Sequence, residues 1–260
     1  MSNAAVRIDP APRESWSPEF DEGPHPRAQI GYVLVANADL SEADFFAMKP
    51  PGVGVHFTRV PMPREVDVAT LTATERDLAG AAASMMPGRD DLDVISYSCT
   101  SGTFVIGEER VIAELRRLNP RPRATTMLSA CVAALEAFGA RRIVLGTAYT
   151  PDLTALEVAF LASKGFDVVR AEGLSLTSDE EMNRVTPAWL ARFASAIDSP
   201  EADALFLSCG ALRVLPVIES IETAIAKPVV FSNQANFWHC LRLAGIEDRI
   251  DGFGRLLQEH

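Results

Sequence analysis

Short apolar runs that do not alternate with polar residues recur along the chain at 28–36, 54–60, 93–98, 142–147, 166–171, 204–208 and 228–232. Their richness in Val, Ile and Leu is the pattern of strands covered on both faces, and such strands pair in parallel. Stretches with helical spacing lie among them, at 69–86, 108–118, 130–138, 153–164, 187–196, 214–226 and 234–243. Parallel strands need crossover connections and helices supply them, so strand followed by helix, repeated, predicts an α/β fold. A chain of 260 residues can bury a large core in this way.

Two of the strands end alike. "DVISYSCTSGTFVIG" (93–107) and "DALFLSCGALRVLP" (203–216) each run Asp, apolar stretch, Ser, Cys, then small residues. The echo continues through a helix and an extended segment, RATTML or KPVVFS, into "SACVAALEAFGARRI" and "NQANFWHCLRLAGIEDRI". Both copies close on a helix stopped by glycine, Gly139 and Gly245. A duplicated half related to its twin by a pseudo-twofold axis would face Cys99 and Cys209 across one cleft. Ligands of parallel sheets bind at the carboxyl ends of the strands, where both cysteines fall. The expected architecture is two similar Rossmann-like domains with the active site in the cleft between them. An arm over residues 1–27 precedes a first domain of 28–122 plus 232–260, and the second domain spans 123–231.

A thiol at a strand end, just ahead of a turn and a helix, can be held as thiolate by amide N–H groups and the positive helix end. A thiolate serves as nucleophile or base. The hydroxyls of Thr100 and Ser101, with close backbone approach at the small residues, have the composition of a pocket for a carboxylate or an enediolate. Two such half-sites let one sulfur act on one face of a planar carbon while the other moves a proton on the opposite face. Cys131 and Cys240 fall inside apolar helical patterns and read as core packing. There is no C-x-x-C and the histidines lack ligand spacing, so no metal site is expected.

The net charge of −11 argues against a nucleic-acid partner, because phosphate neutralisation needs clustered Lys and Arg. A carboxylate substrate would have to be held by short-range donors inside a pocket rather than steered from afar. No apolar run reaches the ~18 residues of a membrane span. The opening "MSNAAVRIDPAPRESWSPEFDEGPHP" is polar, Pro-rich and acidic, unlike a signal peptide. Four cysteines in a chain of this length do not make a disulfide scaffold. A cytoplasmic protein without membrane contact is the expectation.

"IGYVLVANAD", "SYSCTSG", "RIVLGTAYTPD", "LFLSCGALRVLP", "SNQANFWHCLRLAGI" and "GFGRLL" together span about residues 28–257. In these stretches the chain resembles the aspartate/glutamate racemase superfamily, in the branch of maleate cis-trans isomerases, arylmalonate decarboxylase and the ectoine-utilisation protein EutA. The resemblance implies two similar α/β domains, a homo-oligomer (dimer or tetramer), a small carboxylate substrate and no cofactor. It implies Cys99 as the attacking or deprotonating thiolate and Cys209 as the partner that gives or takes a proton. Thr100, Ser101 and the backbone at Gly210 would hold one carboxylate, and Tyr149 would add its hydroxyl. Asn37 matches a position where the isomerases use Asn on the second carboxylate. Read from the residues alone, Tyr149 after its strand and Asn37 in its turn would serve structure as readily as binding.

Departures from the group discriminate within it. Arylmalonate decarboxylase has Gly where this chain has Cys99, which argues against decarboxylation. Amino-acid racemases of the group typically show Cys-Asn-Thr and Cys-Thr-His, where this chain has CTSG and CGAL. The "VANAD" segment differs from the Pro-Ser-Ser-Asn of maleate isomerases and leaves room for the ectoine-pathway relative. The leading expectation is a cofactor-independent, two-cysteine isomerase of a small carboxylic acid, of maleate isomerase type. The alternatives are a racemase or epimerase of an ectoine-derived amino acid, an arylmalonate-type decarboxylase, and a carboxylate-binding module without catalysis.

Overall fold

The computed structural model describes residues 18–260, so residues 1–17 of the expected arm lie outside the described residues. Two four-stranded parallel sheets organise the chain. The first holds β1 (Ala28–Val35), β2 (Val53–Val60), β3 (Val94–Tyr97) and β4 (Arg123–Thr126) in the order β2-β1-β3-β4. The second holds β5 (Arg142–Thr147), β6 (Asp167–Gly173), β7 (Ala204–Ser208) and β8 (Val229–Phe231) in the order β6-β5-β7-β8. The repeated order is the duplication heard in the sequence.

Helices cover the sheets. In the first half they are α1 (Ser41–Met48), α2 (Val68–Ala73), α3 (Glu75–Ser84), α4 (Thr100–Ile106) and α5 (Glu108–Arg117). There follow α6 (Met127–Ala137), α7 (Pro151–Ser163), α8 (Asp179–Arg184), α9 (Pro187–Ile197), α10 (Ile218–Ile225), α11 (Ser232–Leu243) and α12 (Arg255–Glu259). Strands β1, β3 and β7 are buried along their whole length, as their unbroken apolar sequences require. Edge strand β6 is mostly exposed. The aspartate that opens each echo stitches its strand to the next one. Asp93 accepts the Gln29 amide at 2.8 Å, and Asp203 accepts the Arg141 and Arg142 amides, both at 2.8 Å.

Three expectations need correction. Arg123–Thr126 pairs with β3, so the first sheet takes in a strand that a domain boundary after residue 122 assigned to the second half. The tetrapeptide RATT is half hydroxylated and carried little strand signal. The helix expected over 69–86 is two helices, divided at Thr74, whose hydroxyl donates to the Leu71 carbonyl at 2.8 Å. Helix α4 was not expected, because TSGTFVI combines Gly with β-branched residues of low helix propensity.

The halves exchange helices. Following β8, α11 packs back on the first half, where Phe237 lies 5.7 Å from Phe45 and 6.5 Å from Tyr32, ring centre to ring centre. Glu108 on α5 reaches the other way, accepting the Ser129 hydroxyl at 2.5 Å and pairing with Lys164 of α7 at 2.5 Å. These crossings hold the carboxyl ends of β3 and β7 towards one another.

Candidate active site

Strand β3 runs into Ser98 and then Cys99, which caps α4. Its backbone is extended at φ −145°, and its sulfur accepts the Gly102 N–H at 3.2 Å, with the Ser101 hydroxyl 3.6 Å away. A side chain at residue 102 would run into the Tyr97 ring, so the turn requires glycine there. Strand β7 runs into Ser208 and Cys209, whose sulfur accepts the Ala211 N–H at 3.4 Å. The backbone of Cys209 sits at φ +115°, a region that costs a side-chain-bearing residue of order 1–3 kcal/mol and marks functional sites.

One hydroxyl joins the two turns. Ser232, first residue of α11, accepts the Cys209 N–H at 3.1 Å and the Thr100 hydroxyl at 3.1 Å. Asn233 donates to the Gly210 carbonyl at 2.9 Å and to Asp44 at 2.7 Å, and Asn236 donates to the Ser98 hydroxyl at 2.8 Å. Helix α11 therefore braces both cysteine turns from behind.

Cys99, Thr100, Ser101, Tyr149, Cys209 and Gly210 all line one cavity. Its free volume is about 40 Å³, room for about three waters at ~10–15 Å³ each. The roof comes from both halves. The segment around Met62 and Val66 meets the one before α8 through a Glu65–Ser178 bridge and a Val66 N–H to Thr177 carbonyl bond of 2.8 Å. Asn37 is a correction: it does not line this cavity, and its amide donates to the Pro63 carbonyl at 2.7 Å, fixing the roof segment. One amide N–H after each cysteine, that of Gly102 and that of Ala211, points at the sulfur. Thr100 is likewise engaged, with Ser232.

Both thiols rest protonated. Burial pushes Cys99 above the ordinary thiol value, against the opposing pull of the Gly102 N–H and the Ser101 hydroxyl. Burial raises Cys209 further, against the Ala211 N–H and the Tyr149 hydroxyl. The helix end that was expected to lower a thiol is present at Cys99, and desolvation outweighs it. A negative charge adds to the effect on both sulfurs, that of Asp179. Asp179 is 9% exposed, lines the cavity, and is itself pushed up to about 6 by burial. Behind β7, Glu157 is fully buried, accepts the Ser208 hydroxyl at 2.6 Å, and is held at about 8 by desolvation.

Asp179, Ser232, Asn233 and Asn236 escaped the sequence reading. Asp179 stands in "SDEEMNR", where acidic residues look like ordinary first-turn decoration of a helix. The α11 residues carried a readable signal: Ser232, Asn233, Gln234 and Asn236 interrupt an otherwise apolar stretch, and all are buried completely. Among the described residues no group of three or more His, Cys, Asp or Glu is placed to hold a metal ion, and no helix is long and apolar enough to cross a membrane.

Two sulfurs on equivalent turns of duplicated α/β halves thus face one small cavity. The arylmalonate decarboxylase family profile matches residues 75–257, and the chain belongs to that family. Arylmalonate decarboxylase of Bordetella bronchiseptica is 38% identical over 172 residues, covering 64% of this chain and 71% of that protein. Maleate isomerase of Pseudomonas putida is 26% identical over 244 residues, covering 88% of this chain and 96% of that one. A Nocardia farcinica maleate cis-trans isomerase variant carrying a covalently bound succinylcysteine intermediate shares the fold, with a TM-score of 0.83 at 23% identity over 90% of this chain and 99% of that chain.

Proposed function

We propose that the protein is a cofactor-independent isomerase of a small carboxylic acid, working through Cys99 and Cys209. The observation that carries this reading is the placement of both sulfurs on one cavity, each at the end of the equivalent strand in its half and each receiving a backbone N–H. One thiolate takes a proton from, or adds to, one face of the bound acid, and the other thiol delivers a proton at the opposite face. With an alkene acid, the Cys99 sulfur forms a bond to one alkene carbon while Cys209 protonates its neighbour. Rotation about the new single bond, then return of the proton to Cys209 and departure of the Cys99 sulfur, gives the trans isomer. With a chiral acid, removal and return of the α-proton on opposite faces inverts the centre. Both routes pass through an enediolate-like species, and hydroxyl and amide donors fixed in advance stabilise such charge. The succinylcysteine trapped in the Nocardia relative supports the additive route.

The similarity to the Bordetella decarboxylase favours a second reading, loss of carbon dioxide from a malonate. Cys99 distinguishes them, since an inverting mechanism needs a thiol on each face and decarboxylation with one protonation needs a single thiol. The test is proton NMR in deuterated water over a panel of maleate, chiral α-substituted acids and phenylmalonate. Isomerisation or inversion lost in both Cys99→Ala and Cys209→Ala supports the two-thiol reading. Phenylmalonate decarboxylation that survives Cys99→Ala replaces it with the second.

A further inference from the structure

Each cysteine is preceded by a serine that a buried helix side chain holds. In the first half the partner is an amide: Asn236 of α11 donates to the Ser98 hydroxyl at 2.8 Å and accepts the Ser96 hydroxyl at 2.6 Å. In the second half it is an acid: Glu157 of α7 accepts the Ser208 hydroxyl at 2.6 Å through Oε1. Glu157 is 0% exposed, and its Oε2 is buried without a partner among the described residues. Helix α7 begins just after Tyr149, which lines the cavity. Of the two cysteines, Cys209 is the strained one, at φ +115° against −145° for Cys99. A strained backbone persists only where its surroundings over-determine it. Ser232 and Asn233 fix Cys209 and Gly210 from α11, at 3.1 Å and 2.9 Å. Glu157 fixes the residue just before the sulfur from α7, so the turn is clamped between two helices.

Resting on the reading of Cys209 as one of two working thiols, we propose that Glu157 is its positioning residue, acting on the turn through Ser208. A neutral partner suffices at Ser98; at Ser208 the partner can change its charge. Burial holds Glu157 at about 8, with Ser208 the one group pulling the other way. Tyr149 and Cys131 of α6 feel its charge, and burial keeps both of them neutral through that range. Neither α4 nor β7 carries an ionisable residue. The charged residues of β6 are exposed and paired, Asp167 with Arg142 and Arg170 with Glu172. Below about pH 8 the acid is therefore neutral and the clamp closed. Above it, Oε1 still accepts from Ser208, but Oε2 shares a full charge with no donor beside it. A buried charge is too costly to leave unsolvated, so water has to enter between α7 and β7. The Cys209 turn then loosens, whereas the Cys99 turn, held by an amide, does not.

The test reads both sulfurs in one molecule, by timed iodoacetamide alkylation and peptide mass spectrometry, as the ratio of the Cys209 rate to the Cys99 rate. Burial raises both thiols above the ordinary 9.0. Below that value the two thiolate populations climb with pH in step, so the ratio stays constant unless another group intervenes. The wild-type ratio is expected to rise about three-fold or more between about pH 6.5 and 8.5, as Glu157 ionises. It should stay flat in Glu157→Gln, which keeps the acceptor without the charge. Glu157→Ala and Ser208→Ala cut the clamp, and their ratio should be raised about five-fold or more already at about pH 6.5. A flat or falling ratio in the wild type, or an equal rise in Glu157→Gln, overturns the proposal. So does a change of both sulfurs together in the alanine variants, which is what general loosening of the protein would give. The wild-type and glutamine proteins decide the matter should an alanine variant not fold. No substrate enters the measurement, so the two-thiol reading fails or stands separately: isomerisation lost in the cysteine variants beside a flat ratio would refute the role of Glu157 alone.

Discussion

Glu157→Gln isolates the cost of a buried carboxyl behind the site. Glu157 is fully buried, accepts one hydrogen bond from Ser208, and leaves its second oxygen buried without a partner. Desolvation holds it at about 8 instead of the ordinary 4.5. The folded state thus binds this proton more tightly than the unfolded chain. Below about pH 4.5 both states carry the proton and the group makes no pH-dependent contribution. From there the unfolded chain ionises while the folded protein does not, and stability falls by ~1.4 kcal/mol per pH unit until the folded carboxyl ionises too. The whole interval amounts to ~5 kcal/mol, lost in full above about pH 8. Glutamine keeps an acceptor for Ser208 and remains neutral, matching the protonated acid in shape. Urea denaturation of both proteins at closely spaced pH values from 4 to 9 gives the difference directly, and titration of all other groups cancels in it. The two stabilities are expected to coincide near pH 4 and to diverge steadily, with Glu157→Gln the more stable at pH 8–9. A difference that stays flat across the range would refute the assignment of a neutral buried acid.

Cys209→Gly is expected to be more stable than Cys209→Ala by about 1–2 kcal/mol, because both lose the thiol and only glycine relaxes the φ of +115°; chemical denaturation of the pair checks it. Alkylation of Cys99 needs the thiolate, so its rate should climb with pH through and beyond the ordinary thiol value of 9.0. Asp179→Asn removes a negative charge acting on both sulfurs, so the pH–rate curve for each should move to lower pH, as read by peptide mass spectrometry after timed quenching. Ser232→Ala strands the Cys209 N–H and the Thr100 hydroxyl without their shared acceptor, at a cost of about 1–3 kcal/mol per buried group. A fall in melting temperature and in turnover together is the expected result.

The strands and the duplication were legible because burial on both faces forces unbroken apolar runs, and because two copies of one solution leave two similar strings. Cys99 and Cys209 were legible for the same reason: they hold equivalent places at equivalent strand ends. Asn37 owed its binding role to the resemblance alone, and of the two readings its residues left open the structure supplies the turn-shaping one, with its amide on the Pro63 carbonyl. Strand β4 was set in the wrong half because RATT offers no hydrophobic pattern, and its sheet is decided by pairing with β3, which no local window contains. Asp179 lay beyond reach on similar grounds, whereas the buried polar residues of α11 left a readable break in an apolar stretch. Whether an acidic residue at a helix start faces solvent or a cavity depends on how two distant loops meet, here at the Glu65–Ser178 bridge.

The resting site is arranged against reaction. Both sulfurs are desolvated, each receives a single amide N–H, and among the described residues the only charge lining the cavity, Asp179, is of the wrong sign to stabilise a thiolate. A lone thiol enzyme meets this problem with a neighbouring histidine or other cation, and among the described residues none lines this cavity. Thiolate formation here therefore depends on donors and charge that the ligand itself brings. In a two-thiol site one sulfur reacts as thiolate while the other, still neutral, donates a proton, so reaction begins when a single proton leaves the pair. The ligand then decides which sulfur loses its proton, by the face it presents. Strain at Cys209 and desolvation of both sulfurs are costs gathered at one cavity, as functional sites gather them.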